Sequence, residues 1–223
     1  MDVICIWVAE IVPLFATLFS LIYGFKYFFK KGKPLCAQSI TMAMTSHATG
    51  SIYHLCQTLT SEYIVDGFTP AYLGRIGFFL FLLTASYGQL DRIVDDRSPK
   101  MRRSRIIALI APLLAILLYI PNVIIYGLPV ATKVVYAIVW IPATISVYFN
   151  LKHSLIPDFD FGFVKAIRPY NILATCLGFA ELLCLTAWDY YYPTQLAITA
   201  VLFGILCIST MVVLKKGVEK WTI

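Results

Sequence analysis

The sequence predicts an all-α membrane protein, with one domain over residues 1–223 folded as a bundle of seven transmembrane helices. Its N-terminus is expected outside and its C-terminus inside. Three observations predict this. The chain is 60% hydrophobic and 13% charged, with a mean hydropathy of +0.79, whereas a soluble domain carries about 25% charge. Seven apolar segments lie at roughly 3–29, 35–60, 71–90, 106–126, 130–151, 164–188 and 193–214, each near the ~20 residues that cross a hydrocarbon core. Finally, 16 of the 18 Lys and Arg fall on alternate connections. Short cytoplasmic loops retain positive charge, which sets the orientation.

The first segment follows Asp2 without a basic lead, so it reads as an inserted helix rather than a cleaved leader. It runs through Pro13 and ends at Lys26, Lys30, Lys31 and Lys33. The second is the most polar. The third follows Pro70 and ends at Asp91-Arg92. The connection from Asp91 to Arg105 is the longest, with mixed charge followed by a basic stretch. Segments four and five carry Pro112, Pro121 and Pro142, and the fifth stops before Lys152. Lys165 and Arg168 precede the bulk of the sixth, which closes on the aromatic run Trp188-Asp189-Tyr190-Tyr191-Tyr192, a belt at a membrane boundary. The seventh follows Pro193 and ends before Lys215. Only Arg75 and Lys133 are left for the outer face.

The net charge of +6 is the retained cytoplasmic charge of a multi-pass protein, so no nucleic-acid partner is expected; the partner is the bilayer of the cell membrane. There is no CxxC, Walker, GxSxG or HExxH motif, and no cofactor or enzymatic activity is expected. Of the six cysteines, Cys5, Cys56 and Cys184 fall near the outer surface, which leaves one disulfide among them open.

Gly50, Leu55, Cys56 and Thr58 of segment two align without gaps to Gly178, Leu183, Cys184 and Thr186 of segment six. Segments one and five align more loosely around Pro13 and Pro142. These pairs suggest a parallel repeat of three helices, one linker and three helices. That plan resembles the SWEET and PQ-loop transporters, although the Pro-Gln dipeptide is absent. Helix count and orientation also resemble the microbial rhodopsins, although segment seven has no lysine before Lys215 to hold a retinal. Ser51, His54 and Asp91 are similar to part of the set used by seven-helix hydrolases such as the alkaline ceramidases, without the histidines of their last helix. Asp91-Arg92 resembles the rhodopsin-like receptors at one dipeptide, without the NPxxY they carry.

The candidate chemistry lies in three segments. His47, Ser51, His54 and Thr58 are spaced 4, 3 and 4 and share one helical face. Glu10 and Glu181 each lie about seven residues from an outer helix end, roughly 10 Å deep. His54 is at a similar depth. Ionisable groups at depth face the interior of a bundle or a wet cavity. A proton-linked substrate site, a structural polar cluster and a metal site are the three readings, and no metal ligand set is assigned. The function expected is a small-solute carrier with a polar pathway along segments one, two, three and six. The alternative is a receptor or sensor module that signals to a cytoplasmic partner through Asp91, Arg92, Arg102 and Arg103. A membrane hydrolase is the third reading.

Overall fold

The computed structural model describes residues 2–60, 69–121, 130–157, 163–189 and 192–221. It is all-helical, with 92% helix. Seven rods follow in order: α1 (Asp2–Phe28), α2 (Leu35–Thr60), α3 (Pro70–Val94), α4 (Pro99–Ile120), α5 (Val130–Leu155), α6 (Phe163–Asp189) and α7 (Pro193–Trp221). All but α2 are long and apolar enough to cross a membrane. The aromatic run expected at a boundary falls largely outside the described residues.

The bundle has an apolar core and also an apolar outer surface, with a minority of polar side chains inside. Ile4, Phe15 and Ile22 of α1, Leu113 and Leu117 of α4, and Ile198 and Ile205 of α7 are exposed. Thr17, Ser20, Thr41, Asn150, Asn171 and Thr210 are buried. Lipid accepts the first set, and interhelical packing takes the second. The polarity of α2 is largely satisfied within its own helix. Thr41, Thr45, Thr49 and Thr58 each donate to the carbonyl four residues back, at 2.9 to 3.1 Å.

Helix α1 packs between α2 and α7, α2 on α3, α3 on α5, α5 on α6, and α6 on α7. Six helices therefore close a ring in the order 1-2-3-5-6-7. Helix α4 lies outside it against α5, where the buried Trp140 indole donates to the Ala115 carbonyl at 2.9 Å. Successive helices run in opposite directions. Lys215 at the end of α7 sits 4.1 Å over the Tyr27 ring at the end of α1. Gln38 at the start of α2 donates to the Phe28 carbonyl, and Arg168 early in α6 donates to the Ile156 carbonyl just after α5. The basic segments thus gather at one end of the bundle.

Small residues set the closest approaches. Gly50 and Gly74 bring α2 and α3 into backbone contact, and a Cβ added at Gly74 would lie 2.5 Å from the Gly50 Cα. The Ser46 hydroxyl bridges the same seam to the Gly74 carbonyl at 3.1 Å. In α4 the helix is interrupted at Leu109. Pro112 cannot donate to the Ala108 carbonyl and its ring crowds it, which accounts for the break.

Four boundaries differ from the expectation. Helix α3 continues through a π-helical segment, Thr84–Leu90, and an α-turn, Asp91–Val94. Helix α4 starts at Pro99, so the long loop expected over Asp91–Arg105 reduces to residues 95–98. Helix α5 runs to Leu155 and α7 to Trp221, carrying Lys152, His153, Lys215 and Lys220 on helix rather than loop. Charged residues look like membrane edges in sequence, but helical hydrogen bonding continues through them.

Candidate functional site

Two buried ionisable clusters lie at opposite ends of the ring. The first is built on α1, α2, α3 and α6. Glu10 of α1 meets His54 of α2, with 2.7 Å between Oε1 and Nδ1. His47, two turns earlier on the same face, meets Glu181 of α6, with 3.1 Å between Nε2 and Oε2. Glu181 also accepts from the Arg75 Nε of α3 at 3.1 Å. The His47 ring is held in place, stacked on Phe203 of α7 at 4.6 Å and edge-on to Phe78 of α3 at 5.4 Å. Its Nδ1 faces the Ser51 hydroxyl at 3.2 Å. Thr58, placed by spacing on the same face, is exposed near the end of α2 and bonds back to the His54 carbonyl.

These groups border one cavity of about 40 Å³, lined by Glu10, His47, Ser51, His54, Arg75 and Glu181, with Cys184 and Leu196 among the apolar contributions. One water needs about 10–15 Å³ by this measure. The space therefore holds two or three waters, or one small ion with part of its hydration. Neither the Glu10 Oε1 nor the His47 Nε2 makes an aligned hydrogen bond, although each sits within ion-pair distance of its partner. Among the described residues, no three His, Cys, Asp or Glu side chains converge as metal ligands.

Arg75 was not among the expected site residues. Counted by charge alone it belongs to the outer face, yet its side chain is only 20% exposed and pairs with a carboxylate 3% exposed. The signal was its position: Arg75 lies five residues into α3, inside the span rather than at its edge. Its other contact is with the Tyr72 ring, 5.6 Å from the guanidinium carbon.

The second cluster lies at the basic end, where a solvated loop was expected. The Asp91 carboxylate takes the Lys152 ammonium and the His153 Nε2, the latter at 2.9 Å. Lys152 also reaches Asp95 at 3.1 Å. Arg105 grips Asp95 in bidentate fashion, at 2.9 and 2.6 Å. Ser104 donates to the Leu155 carbonyl across the same junction. Lys152 and His153 are buried, so they join α3, α4 and α5 rather than face water. Asp91 belongs to this network and is only partly exposed, whereas Arg92, Arg102 and Arg103 are exposed. In the short connection, Arg105 first, then the Arg97 backbone N–H and Lys152, hold the Asp95 carboxyl well below the usual carboxylate range. The hydrogen bond from the Ser98 backbone lowers that of Asp96.

All six cysteines are free. Cys184 is buried in α6 while Cys56 is exposed on α2, so the disulfide left open by the sequence does not form. No protein-family model, curated protein or solved structure matches this chain.

Proposed function

We propose that this protein is a small-solute carrier of the cell membrane, with all seven helices spanning, the N-terminus outside and the C-terminus inside. One observation carries the reading. Two histidines, two glutamates and an arginine from four helices border a single cavity inside a closed helical ring. Buried ionisable groups are expensive in a bilayer and mark pathways for solutes or protons.

Three further features support it. Helix α2 runs antiparallel to α1 and α3 and packs on both, which favours its crossing the same layer, and its threonines make that tolerable by bonding within the helix. The ring order 1-2-3-5-6-7 maps onto itself when α1, α2 and α3 are exchanged with α5, α6 and α7. A parallel repeat with α4 as external linker has this property, and alternating access by rocking one unit against the other would follow from it. With Arg75 withdrawn into an ion pair, Lys133 is the lone Lys or Arg left for the outer face among the described residues, which sharpens the charge asymmetry that sets orientation.

The test is solute-driven proton movement in vesicles containing the purified protein and an internal pH dye. A carrier gives a solute-dependent signal that His54→Ala abolishes and that Arg102→Gln with Arg103→Gln leaves intact. If no solute moves, and the two arginine substitutions abolish a cellular response while ligand binding persists, the protein is instead a sensor with its output on the exposed basic surface.

A further inference from the structure

The exposed cations at the basic end differ in kind from helix to helix. Arg92 lies at the end of α3, Arg97 in the connection, and Lys100, Arg102 and Arg103 in the first turns of α4; all of them are exposed. The carboxylates that could neutralise them are taken. Asp91 holds Lys152 and His153, and Asp95 holds Lys152 and Arg105. Asp96 is the one acid left in this stretch, and it accepts from the Ser98 backbone. The α3–α4 junction therefore carries a surplus of positive charge, most of it on arginine. Around α1 and α7 the cations are lysines, Lys26, Lys30 and Lys31 on one side and Lys215, Lys216 and Lys220 on the other. Lys215 there pairs with Glu219, and both it and Lys26 lie over the Tyr27 ring. A lysine offers a point charge, whereas an arginine offers a planar fork that fits two oxygens of one phosphate.

The rest of α4 says what carries that phosphate. The helix stands outside the ring and buries Ala108, Ala111 and Ala115. On its other side Arg103, Ile106, Ile110, Leu113 and Leu117 recur every three or four residues, all exposed, and form one strip. The strip is cationic at the junction and apolar beyond it, which is the profile of a phospholipid read from head to tail. We propose that the α3–α4 junction binds an anionic phospholipid, with Arg102 and Arg103 on its headgroup phosphate, Arg92 beside them, and the acyl chains along α4. A zwitterionic lipid brings its own cation and leaves the surplus charge unneutralised. A soluble phosphate has no part to cover the isoleucines and leucines. Next to the proposed site, Arg105 and Ser104 tie α4 to Asp95 and to the Leu155 carbonyl. A lipid seated there clamps α4 to the ring, so its binding is read in stability. Such a site requires a membrane-embedded bundle and nothing of the carrier reading.

The test uses the purified full-length protein in detergent. Thermal melts are taken as short-chain phosphatidylglycerol, short-chain phosphatidylcholine or glycerol phosphate is added. Phosphatidylglycerol is expected to raise Tm and to saturate. Phosphatidylcholine, with the same tails, and glycerol phosphate, with none, are expected to leave Tm where it was. Arg102→Gln with Arg103→Gln should raise the half-saturating concentration roughly tenfold or more. Lys30→Gln with Lys31→Gln, also exposed but beyond the end of α1, should leave it unchanged. Each variant's lipid-free melt is its own baseline, and lipid retained per protein, counted by native mass spectrometry, gives the same comparison without reference to Tm. Binding that survives in the arginine variant overturns the assignment. So does an equal loss in the lysine variant, which would mean diffuse charge, or a rise with glycerol phosphate alone, which would mean a soluble phosphate. Indifference to phosphatidylglycerol also overturns it and leaves these arginines to a cytoplasmic partner.

Discussion

Arg75→Met tests whether the α3–α6 ion pair holds the cavity in shape. Methionine keeps the length and apolar stem of arginine but removes the cation, leaving Glu181, 3% exposed, with His47 alone. Removing one partner of a buried pair destabilises by about 3–5 kcal/mol, because a carboxylate stays buried without its counter-charge. For a chain of this size each kcal/mol lowers Tm by about 2–4 °C, so the loss is about 6–20 °C. Replacing both members, Arg75→Met with Glu181→Gln, removes the charge together with its partner and should recover most of the loss. Thermal melts of wild type, both single variants and the double variant in one detergent provide the cycle. If Arg75→Met melts within about 2 °C of wild type, or the double variant is no better than the single, the pair carries no such energy and the reasoning fails.

Three other outcomes follow from the same structure. Gly74→Ala drives a methyl group to within 2.5 Å of the Gly50 Cα, so α2 and α3 must separate; a loss of about 1–3 kcal/mol is expected in the same melts, and an unchanged Tm would mean the seam is looser than this approach implies. Because Arg105 and Lys152 depress the Asp95 carboxyl, the stability it adds is full above the unfolded value near ~4 and is lost as pH falls through the folded one. The Tm gap between wild type and Asp95→Asn should then be constant from about pH 8 to pH 5 and close only below about pH 4; closure near neutrality would contradict this. Single cysteines at Lys100 and Gln195, in a background without native cysteines, should react with an impermeant maleimide at 195 and not at 100 in intact cells, and the reverse pattern would invert the topology.

Much of this architecture is legible in the sequence, because lipid enforces a simple rule. The bounds of α2, residues 35 and 60, are legible in the sequence, and the structure places the helix there. The depth of Glu10 and His54 could be counted from helix ends, and the two side chains meet. What could not be counted is who faces whom around the ring. Arg75 and Glu181 are 106 residues apart, and their pairing depends on α3 and α6 both turning toward the middle. The burial of the basic end is illegible in the sequence for a related reason. Lys152 and His153 resemble a helix leaving the membrane until Asp91 and Asp95 arrive from α3 to bury them. The π-helical segment that precedes Asp91 has no sequence signature of its own, since it exchanges one hydrogen-bonding register for another on ordinary helix residues.

A carrier of the proposed kind must open its one cavity to both sides of the membrane in turn. Ser51 lines it without belonging to either carboxylate pair, so a cysteine there, in a background lacking the six native ones, reports access directly. Labelling by an impermeant maleimide is compared in sealed right-side-out and inside-out vesicles. The carrier reading predicts reaction from both faces, with a transported solute shifting the ratio between them. Reaction confined to one face, unchanged by every solute supplied, would contradict it.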